Sequence, residues 1–118
     1  MRNIFEFNRL YRRTKTGVGV TGQVVRLRLN PIRPKTLRVL THVSVENKTG
    51  ARTKDRLGIN AGGRDHYLDE IMDPAQNELI VSRSDILLGE GDYFFAEFID
   101  TENGDELLMT CIGWDQGL

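Results

Sequence analysis

The most informative pattern in the chain is an alternation of apolar and polar residues over short segments. Between Leu37 and Glu46 nearly every second residue is apolar or β-branched, and a shorter alternation covers residues 24–29. Such alternation places one face of an extended strand against a core. Glycine, proline, asparagine and aspartate separate the segments. The pattern predicts about seven or eight short strands in a single β domain.

The C-terminal third shows the clearest pair of strands. Tyr93–Ile99 and Leu107–Trp114 are apolar runs on either side of a polar segment, as in a β-hairpin. Phe94, Ala96 and Phe98 fall on one face of the first run. Because a second layer must cover that face, we predict an all-β fold, a two-layer antiparallel β-sandwich or jelly roll.

Turn residues predict further connections. Asn47-Lys48-Thr49-Gly50 is expected to join the strand 37–46 to a hairpin partner over Thr53–Ile59. Ala61-Gly62-Gly63 is expected to break that ladder, and Arg64–Glu70 fits a short strand or a helical turn.

The N-terminal residues follow a different pattern. Residues 1–13 place a few apolar groups among basic residues, with a spacing that fits a short strand or a helical turn. Residues 14–23 are rich in glycine and threonine, which predicts a mobile loop. We therefore expect an N-terminal arm and flexible loop over residues 1–23 and a β-sandwich domain over residues 24–118. The arm is expected to become ordered by docking.

Length and composition fit a single domain without disulfide bonds. The chain has 118 residues, 13.4 kDa and one cysteine, Cys111, in an apolar segment. No signal-peptide core follows Met1, and no apolar run reaches the roughly 18 residues of a membrane span. These features predict a soluble protein synthesised in a reducing compartment.

A net charge of −1 hides a strong asymmetry between the two halves. Residues 1–59 hold 14 Lys or Arg against three Asp or Glu, whereas residues 60–118 hold two against 14. If the fold keeps the halves apart, one face is basic and another acidic, which favours head-to-tail contacts. If strands from the two halves alternate in the sheets, the charges neutralise one another within the molecule.

The segment Gly17–Gly22 matches the pattern G-x-G-x-x-G of phosphate-binding loops. A dinucleotide site needs a preceding strand, a following helix and a later acidic residue, and here a basic, strand-like segment follows instead. The surrounding sequence favours an ordinary flexible loop.

Asp100, Glu102, Asn103 and Asp105 bring several oxygen ligands into one segment, as calcium sites do. Their spacing departs from the EF-hand pattern, and the twelfth position holds Cys111 in place of a bidentate Glu. A solvated loop is favoured, and no metal site is predicted.

No other residue group indicates catalysis. His66 lies beside acidic residues but lacks an identifiable second ligand, and Cys111 has no base near it in sequence. We expect no catalytic residue and no cofactor, and hence a protein that is not an enzyme.

The basic half supports an alternative function. Arginine and lysine could contact phosphates while Phe5, Phe7 and Tyr11 stack on bases, as in single-stranded nucleic-acid-binding β-barrels. The pI of about 6.1 argues against this alternative, because acidic residues repel the same polyanion. The cations concerned are Arg9, Arg12, Arg13, Lys15, Arg26, Arg28, Arg33, Lys35 and Arg38.

Three segments together resemble the small β-sandwich accessory proteins of tailed bacteriophage virions, such as capsid decoration or cement proteins and neck components. They are the arm MRNIFEFNRLYRR, the segment LRVLTHVSVENKTGARTKDRLGI and the closing LGEGDYFFAEFIDTENGDELLMTCIGW. The resemblance implies a non-enzymatic virion component, made in the host cytoplasm, that clamps neighbouring capsid, neck or tail subunits.

Combined with the charge asymmetry, this resemblance implies that the arm binds a neighbour. Its apolar side chains would fill a groove, and its arginines would pair with acidic residues of the next copy. No membrane contact is expected. The residues expected to bind a partner are Phe5, Phe7, Arg9, Tyr11, Arg12, Arg13, Arg26 and Arg28 on the basic side, and Asp92, Glu102, Asp105 and Glu106 on the acidic side.

Overall fold

The structure, a computed structural model, describes residues 8–50, 54–72, 80–82 and 85–118. These residues form nine strands, several of them longer than the sequence pattern predicts. The strands are β1 (Asn8–Val18), β2 (Val25–Arg28), β3 (Thr36–Asn47), β4 (Lys54–Ala61), β5 (Arg64–Met72), β6 (Ile80–Ser82), β7 (Ile86–Leu88), β8 (Tyr93–Ile99) and β9 (Glu106–Gly117).

The strands form two antiparallel sheets that pack face to face. Sheet A has the order β1-β9-β3, with both β6 and β7 paired to the other edge of β3. Sheet B has the order β2-β8-β4-β5. If β6 and β7 are taken as one interrupted strand, this is the eight-strand arrangement of a jelly roll. The prediction of an all-β, two-layer antiparallel fold is confirmed.

Alternating residues of both sheets supply the core. Phe94, Ala96 and Phe98 point inward from β8, as predicted, and Leu107, Met109 and Cys111 point inward from β9. All are at most 1% exposed. Burying such side chains stabilises the fold by about 1.5–3 kcal/mol for each large one. The remaining core residues are Leu27, Leu29, Ile32, Leu40, Val43, Val45, Leu57, Ile86 and Leu88.

Both predicted hairpins are wrong. β3 and β4 lie in different sheets, and so do β8 and β9. Each connection therefore crosses from one layer to the other. An apolar run, a polar connection and a second apolar run have the same sequence pattern whether the second strand pairs beside the first or packs opposite it.

A true hairpin occurs where the sequence predicted a break. Ala61 pairs with Arg64 across the two-residue turn Gly62-Gly63, so β4 continues directly into β5. The two glycines have φ of 62° and 77°. Positive φ at both central residues is typical of the type I′ turn, whose twist suits a hairpin. Arg64–Met72 is accordingly a strand, and not a helical turn.

The N-terminal region forms part of sheet A. β1 pairs with β9 along its whole length, from Asn8 with Gln116 to Val18 with Glu106. The prediction of a mobile loop over residues 14–23 is therefore wrong for residues 14–18. Residues 8–13, expected to be part of a docking arm, are paired within their own chain. Phe5 and Phe7 lie outside the described residues.

Three connections meet at one end of the sandwich and form what we term the loop junction (residues 19–21, 47–50 and 101–105). The Gly19 amide donates to the Asp105 carbonyl oxygen at 2.8 Å, and the Gly104 amide donates to the Gly19 carbonyl at 3.1 Å. The buried Asp105 carboxylate accepts hydrogen bonds from the Asn47 side-chain amide at 2.9 Å and the Glu102 amide at 3.0 Å. These bonds hold the three connections together.

The loop junction also explains the glycine-rich motif. The Gly19 amide is already bonded to Asp105, so it does not point toward a free phosphate site. A β-carbon at Gly19 would lie 2.8 Å from the Asp105 Cβ and 2.9 Å from the Thr101 Cβ. The motif therefore provides close packing between connections.

Replacing Gly19 with alanine tests this packing. We expect the Gly19→Ala variant to lose about 1–3 kcal/mol of unfolding free energy, since the added methyl group overpacks a hydrogen-bonded contact. Urea denaturation measures the loss. Gly89→Ala is the control, because a β-carbon there meets only the Asp92 carboxylate, at 3.7 Å. Equal stability of the two variants would contradict the packing role.

Candidate interaction groove

A groove opens between the edge strand of sheet A and the edge of sheet B. Its volume is about 660 Å³. One wall is β1, and the other is the segment 29–33 that follows the four-residue strand β2. Because β2 is short and β1 is long, the space between the sheets opens to solvent here. The lining residues are Arg9, Leu10, Tyr11, Arg13, Thr14, Lys15, Leu29, Asn30, Pro31, Arg33, Arg38 and Asp115.

The face of β1 that points between the sheets is basic. Tyr11 packs against the core, so the residues two positions away along the strand share its face. These residues are Arg9 and Arg13, followed by Lys15. Inward-pointing charges are one means by which edge strands avoid unspecific pairing. Here they also create a cationic wall.

An ion pair fixes the floor of the groove. Arg38 donates from Nε and Nη2 to the two carboxylate oxygens of Asp115, at 2.7 and 3.0 Å. Its guanidinium carbon lies 3.6 Å from the centre of the Tyr11 ring. Burial raises the pKa of the Tyr11 hydroxyl, an effect that the nearby Arg38 partly offsets. The Arg38 charge is thus neutralised, and one face of the Tyr11 ring is covered.

The remaining cations of the groove have no such compensation. Among the described residues, no carboxylate lies within ion-pair distance of Arg9, Arg13, Lys15 or Arg33. Guanidinium groups bind carboxylates and phosphates through paired hydrogen bonds. The groove is therefore suited to an anionic ligand.

Other predicted basic residues are engaged elsewhere. Arg26 lies on sheet B, where it pairs at 2.7 Å with both Asp65 and Glu97 and covers the Phe95 ring at 3.9 Å. The hydrogen bond from Arg26 lowers the pKa of the Asp65 carboxyl. Arg28 covers the Tyr93 ring at 4.6 Å. The structure does not bring these arginines into the groove.

Arg12 lies on the same strand as the groove cations but on its opposite face. It pairs in register with Ile112 and is exposed. Arg12 is consequently separated from the inward-pointing cations, although it is close to them in sequence.

Ion pairs between the two halves of the sequence occur in both sheets. Besides the pairs of Arg26 and Arg38, Lys54 and Arg56 contact Glu70 at 3.3 and 3.0 Å. The alternative in which charges neutralise one another inside the molecule applies at these sites. Among the described residues, the cations outside these pairs include those of the groove and the exposed Arg12 on the outer face of β1.

The predicted acidic residues fall into two places. The Asp92 carboxylate accepts a hydrogen bond from the Gly89 amide at 2.9 Å. The Asp92 carbonyl oxygen accepts one from the Ile32 amide, beside the groove. Glu102 and Glu106 lie at the opposite end of β1, are exposed, and have no cation within ion-pair distance among the described residues. Asp105 is buried.

The calcium alternative gains no support from this geometry. Hydrogen-bond donors occupy both carboxylate oxygens of Asp105, with the Thr49 hydroxyl 3.3 Å from Oδ1. Within the described ranges, no group of three or more His, Cys, Asp or Glu side chains is placed to hold a metal ion.

Sequence reasoning missed the groove because its two walls are distant in sequence. A period-two signal was present in Arg9, Tyr11, Arg13 and Lys15. It could not be interpreted without knowing that β1 is an edge strand. The role of Asp115 as the partner of Arg38 depends on the pairing of β3 with β9.

Comparison with known proteins supports the fold. Neither the protein-family models nor the curated proteins gave a match to this sequence. The chain is similar in structure to a protein of Bacillus endospore appendages, described as disulfide-linked pili, with TM-score 0.53 and 9% identity over 95% of this chain and 89% of the other. At that identity the similarity shows a shared fold.

A weaker similarity involves the Gx strain of infectious bursal disease virus. The TM-score is 0.32 with 6% identity, covering 94% of this chain and 42% of the viral chain. No conclusion rests on it. Separately, the described part of the chain contains no helix that is long and apolar enough to span a membrane.

The single thiol provides a test of the described core. Cys111 is fully buried, and burial raises its pKa to about 12. We expect native protein at pH 8 to react with a thiol reagent at least about 100-fold more slowly than urea-unfolded protein, because reaction requires opening of the sandwich. Equal reaction rates in the two states would contradict the placement of β9.

The same thiol should make the free energy of unfolding fall as pH rises from 9.0, the ordinary pKa of cysteine, toward 12, its pKa in the folded protein.

Proposed function

We propose that this protein is a structural subunit that assembles with further copies of itself, and that it is not an enzyme. The observation that carries the proposal is the edge strand β1. Among the described residues this 11-residue strand has a strand partner, β9, on one side only. Beside it lies a groove in which Arg9, Arg13, Lys15 and Arg33 have no ion-pair partner among the described residues.

Edge strands expose backbone donors and acceptors that favour pairing with another chain. In a monomer, such an edge is an aggregation risk unless charges or bulges protect it. The inward-pointing cations of β1 protect it against unspecific partners. They would allow binding of a partner that carries carboxylates, which supports selective assembly over non-specific association.

Any assembly formed in this way would be non-covalent. The similar pilus protein is described as disulfide-linked, whereas this chain has one cysteine, and that cysteine is buried. Cohesion would come from strand edges, apolar contacts and ion pairs. Exposed ion pairs each contribute little, about 0–1 kcal/mol, and mainly set register and partner choice.

Within this class, we propose a virion component of the capsid decoration or neck type as the specific form to examine. The support is the architectural resemblance of the arm and β-sandwich to phage accessory proteins. In that form the partners are further copies and a major capsid, neck or tail protein, and the site of action is the virion after synthesis in the host cytoplasm. Contact of Phe5 and Phe7 with a neighbour stays a prediction, since both lie outside the described residues.

Mass measurement of the purified protein tests the proposal. We expect sedimentation equilibrium to show species larger than the 13.4 kDa chain at micromolar concentration. Raising the salt from about 0.1 M to about 1 M should shift the distribution toward monomer, because it shortens the Debye length from about 10 Å to about 3 Å. A monomer under all conditions, alone and with a candidate capsid shell, would refute self-assembly and shell binding alike.

The groove also gives the nucleic-acid alternative one supporting observation, namely its cations. A single-stranded oligonucleotide should then bind with an affinity that falls steeply with salt in an anisotropy assay. The groove offers less surface for base stacking, because Arg38 already covers one face of the Tyr11 ring.

A further inference from the structure

We propose that the basic groove of one copy receives the acidic end of a second copy, with Glu102 and Glu106 as the entering carboxylates. This inference rests on the proposed function and names the contact that would produce it. The groove supplies Arg9, Arg13 and Lys15. The two surfaces carry opposite charge, and the described residues leave both uncompensated.

The two surfaces lie at opposite ends of the same strand. Arg9 and Arg13 pair in register with Asp115 and Cys111, whereas Glu106 pairs with Val18 at the other end of β1. At about 3.4 Å per residue, Arg13 and Val18 are separated by roughly 17 Å along the strand. This separation exceeds the reach of the side chains, so the two sets cannot neutralise each other within one molecule.

Lys15 is nearer to Glu106 but lies on the other face of the sheet. Leu107 is in the core, so Glu106 points away from the interior, whereas Lys15 shares the inward face of Tyr11. A second copy is therefore the geometrically simple source of carboxylates for the groove.

Both surfaces are held in shape before they meet. The Glu102 amide donates to Asp105 at 3.0 Å, and the Glu106 amide donates to the Thr49 hydroxyl at 3.0 Å. On the other side, the Arg38 and Asp115 pair fixes the floor of the groove. Rigid partners lose less conformational entropy on association, which favours binding.

The contact has a defined symmetry. Groove and acidic end are different patches, so their association is heterologous, and an associated pair keeps a free groove at one end and a free acidic end at the other. Such contacts produce rings when the rotation closes and filaments when it does not. The inference therefore predicts extended or cyclic assemblies in preference to a symmetric dimer.

The nucleic-acid alternative uses the same cations but requires different chemistry. Phosphate contacts would use the arginines, whereas bases need open aromatic faces. Among the described groove residues the aromatic side chain is Tyr11, which Arg38 covers on one face. Carboxylates from a second copy need no aromatic platform, and this favours the acidic end as the occupant.

Charge reversal provides the test. We expect Arg13→Glu with Lys15→Glu, and separately Glu102→Lys with Glu106→Lys, each to weaken assembly at least about tenfold, since like charges then face each other. Mixing the two double variants should restore assembly, because every contact again joins opposite charges. Combining all four substitutions in one chain should also restore it. Arg12→Glu is the matched control on the outer face of the same strand and should assemble normally.

The outcomes separate the inference from the proposed function. If wild-type protein assembles and both reversals leave assembly unchanged, the groove contact is wrong although the assembly role stands. Loss of assembly without restoration on mixing also contradicts the contact, provided that slow Cys111 labelling shows both variants to be folded. If wild-type protein is monomeric and binds an oligonucleotide that the groove variant does not bind, both proposals fail in favour of nucleic acid.

Discussion

The antiparallel pairing of β9 with β1 on one side and β3 on the other is the constraint on which the rest of the structure depends. It joins the N-terminal residues to the C-terminal strand along the full length of β1. It also brings Arg38 and Asp115 into contact, which locks the groove floor. Without β9, β1 would have no sheet to join, and neither the cationic wall nor the open edge would be formed. The sequence predicted residues 8–13 to be part of an arm, but this pairing makes them part of sheet A.

Sequence periodicity predicted the fold class because burial depends on local alternation, and Phe94, Ala96 and Phe98 show that alternation directly. It did not predict strand order, since the choice between pairing beside a neighbour and crossing to the other sheet depends on contacts between residues far apart in the chain. The two wrong hairpins are of this kind. Gly62-Gly63 is an error of the opposite kind. These glycines were expected to break the ladder, but they form a tight turn that joins β4 to β5 in sheet B.

The charge asymmetry of the sequence was informative in a more limited way than its size suggests. A jelly roll places strands from the two halves side by side, and so Arg26 meets Glu97 and Arg38 meets Asp115. Together with Lys54 and Arg56, which contact Glu70, these arginines account for part of the asymmetry among the described residues. Several of the remaining cations lie together where the edges of the two sheets separate, along β1. The candidate site therefore depends on the strand topology. The sequence identifies its cations but does not show where they lie in the fold.

An edge strand that carries inward-pointing cations combines two properties that usually oppose each other. The open backbone edge favours pairing with any extended chain, whereas unpaired charge beside it opposes that pairing unless carboxylates accompany the partner. The result is selectivity without deep burial, and the free energy of each ion pair need only be small. Under the proposed head-to-tail contact, the selecting groups and their complement lie at opposite ends of one chain, and selectivity for acidic partners would favour its own copies in a single orientation. A structural subunit of the proposed kind would in this way encode polarity in an assembly.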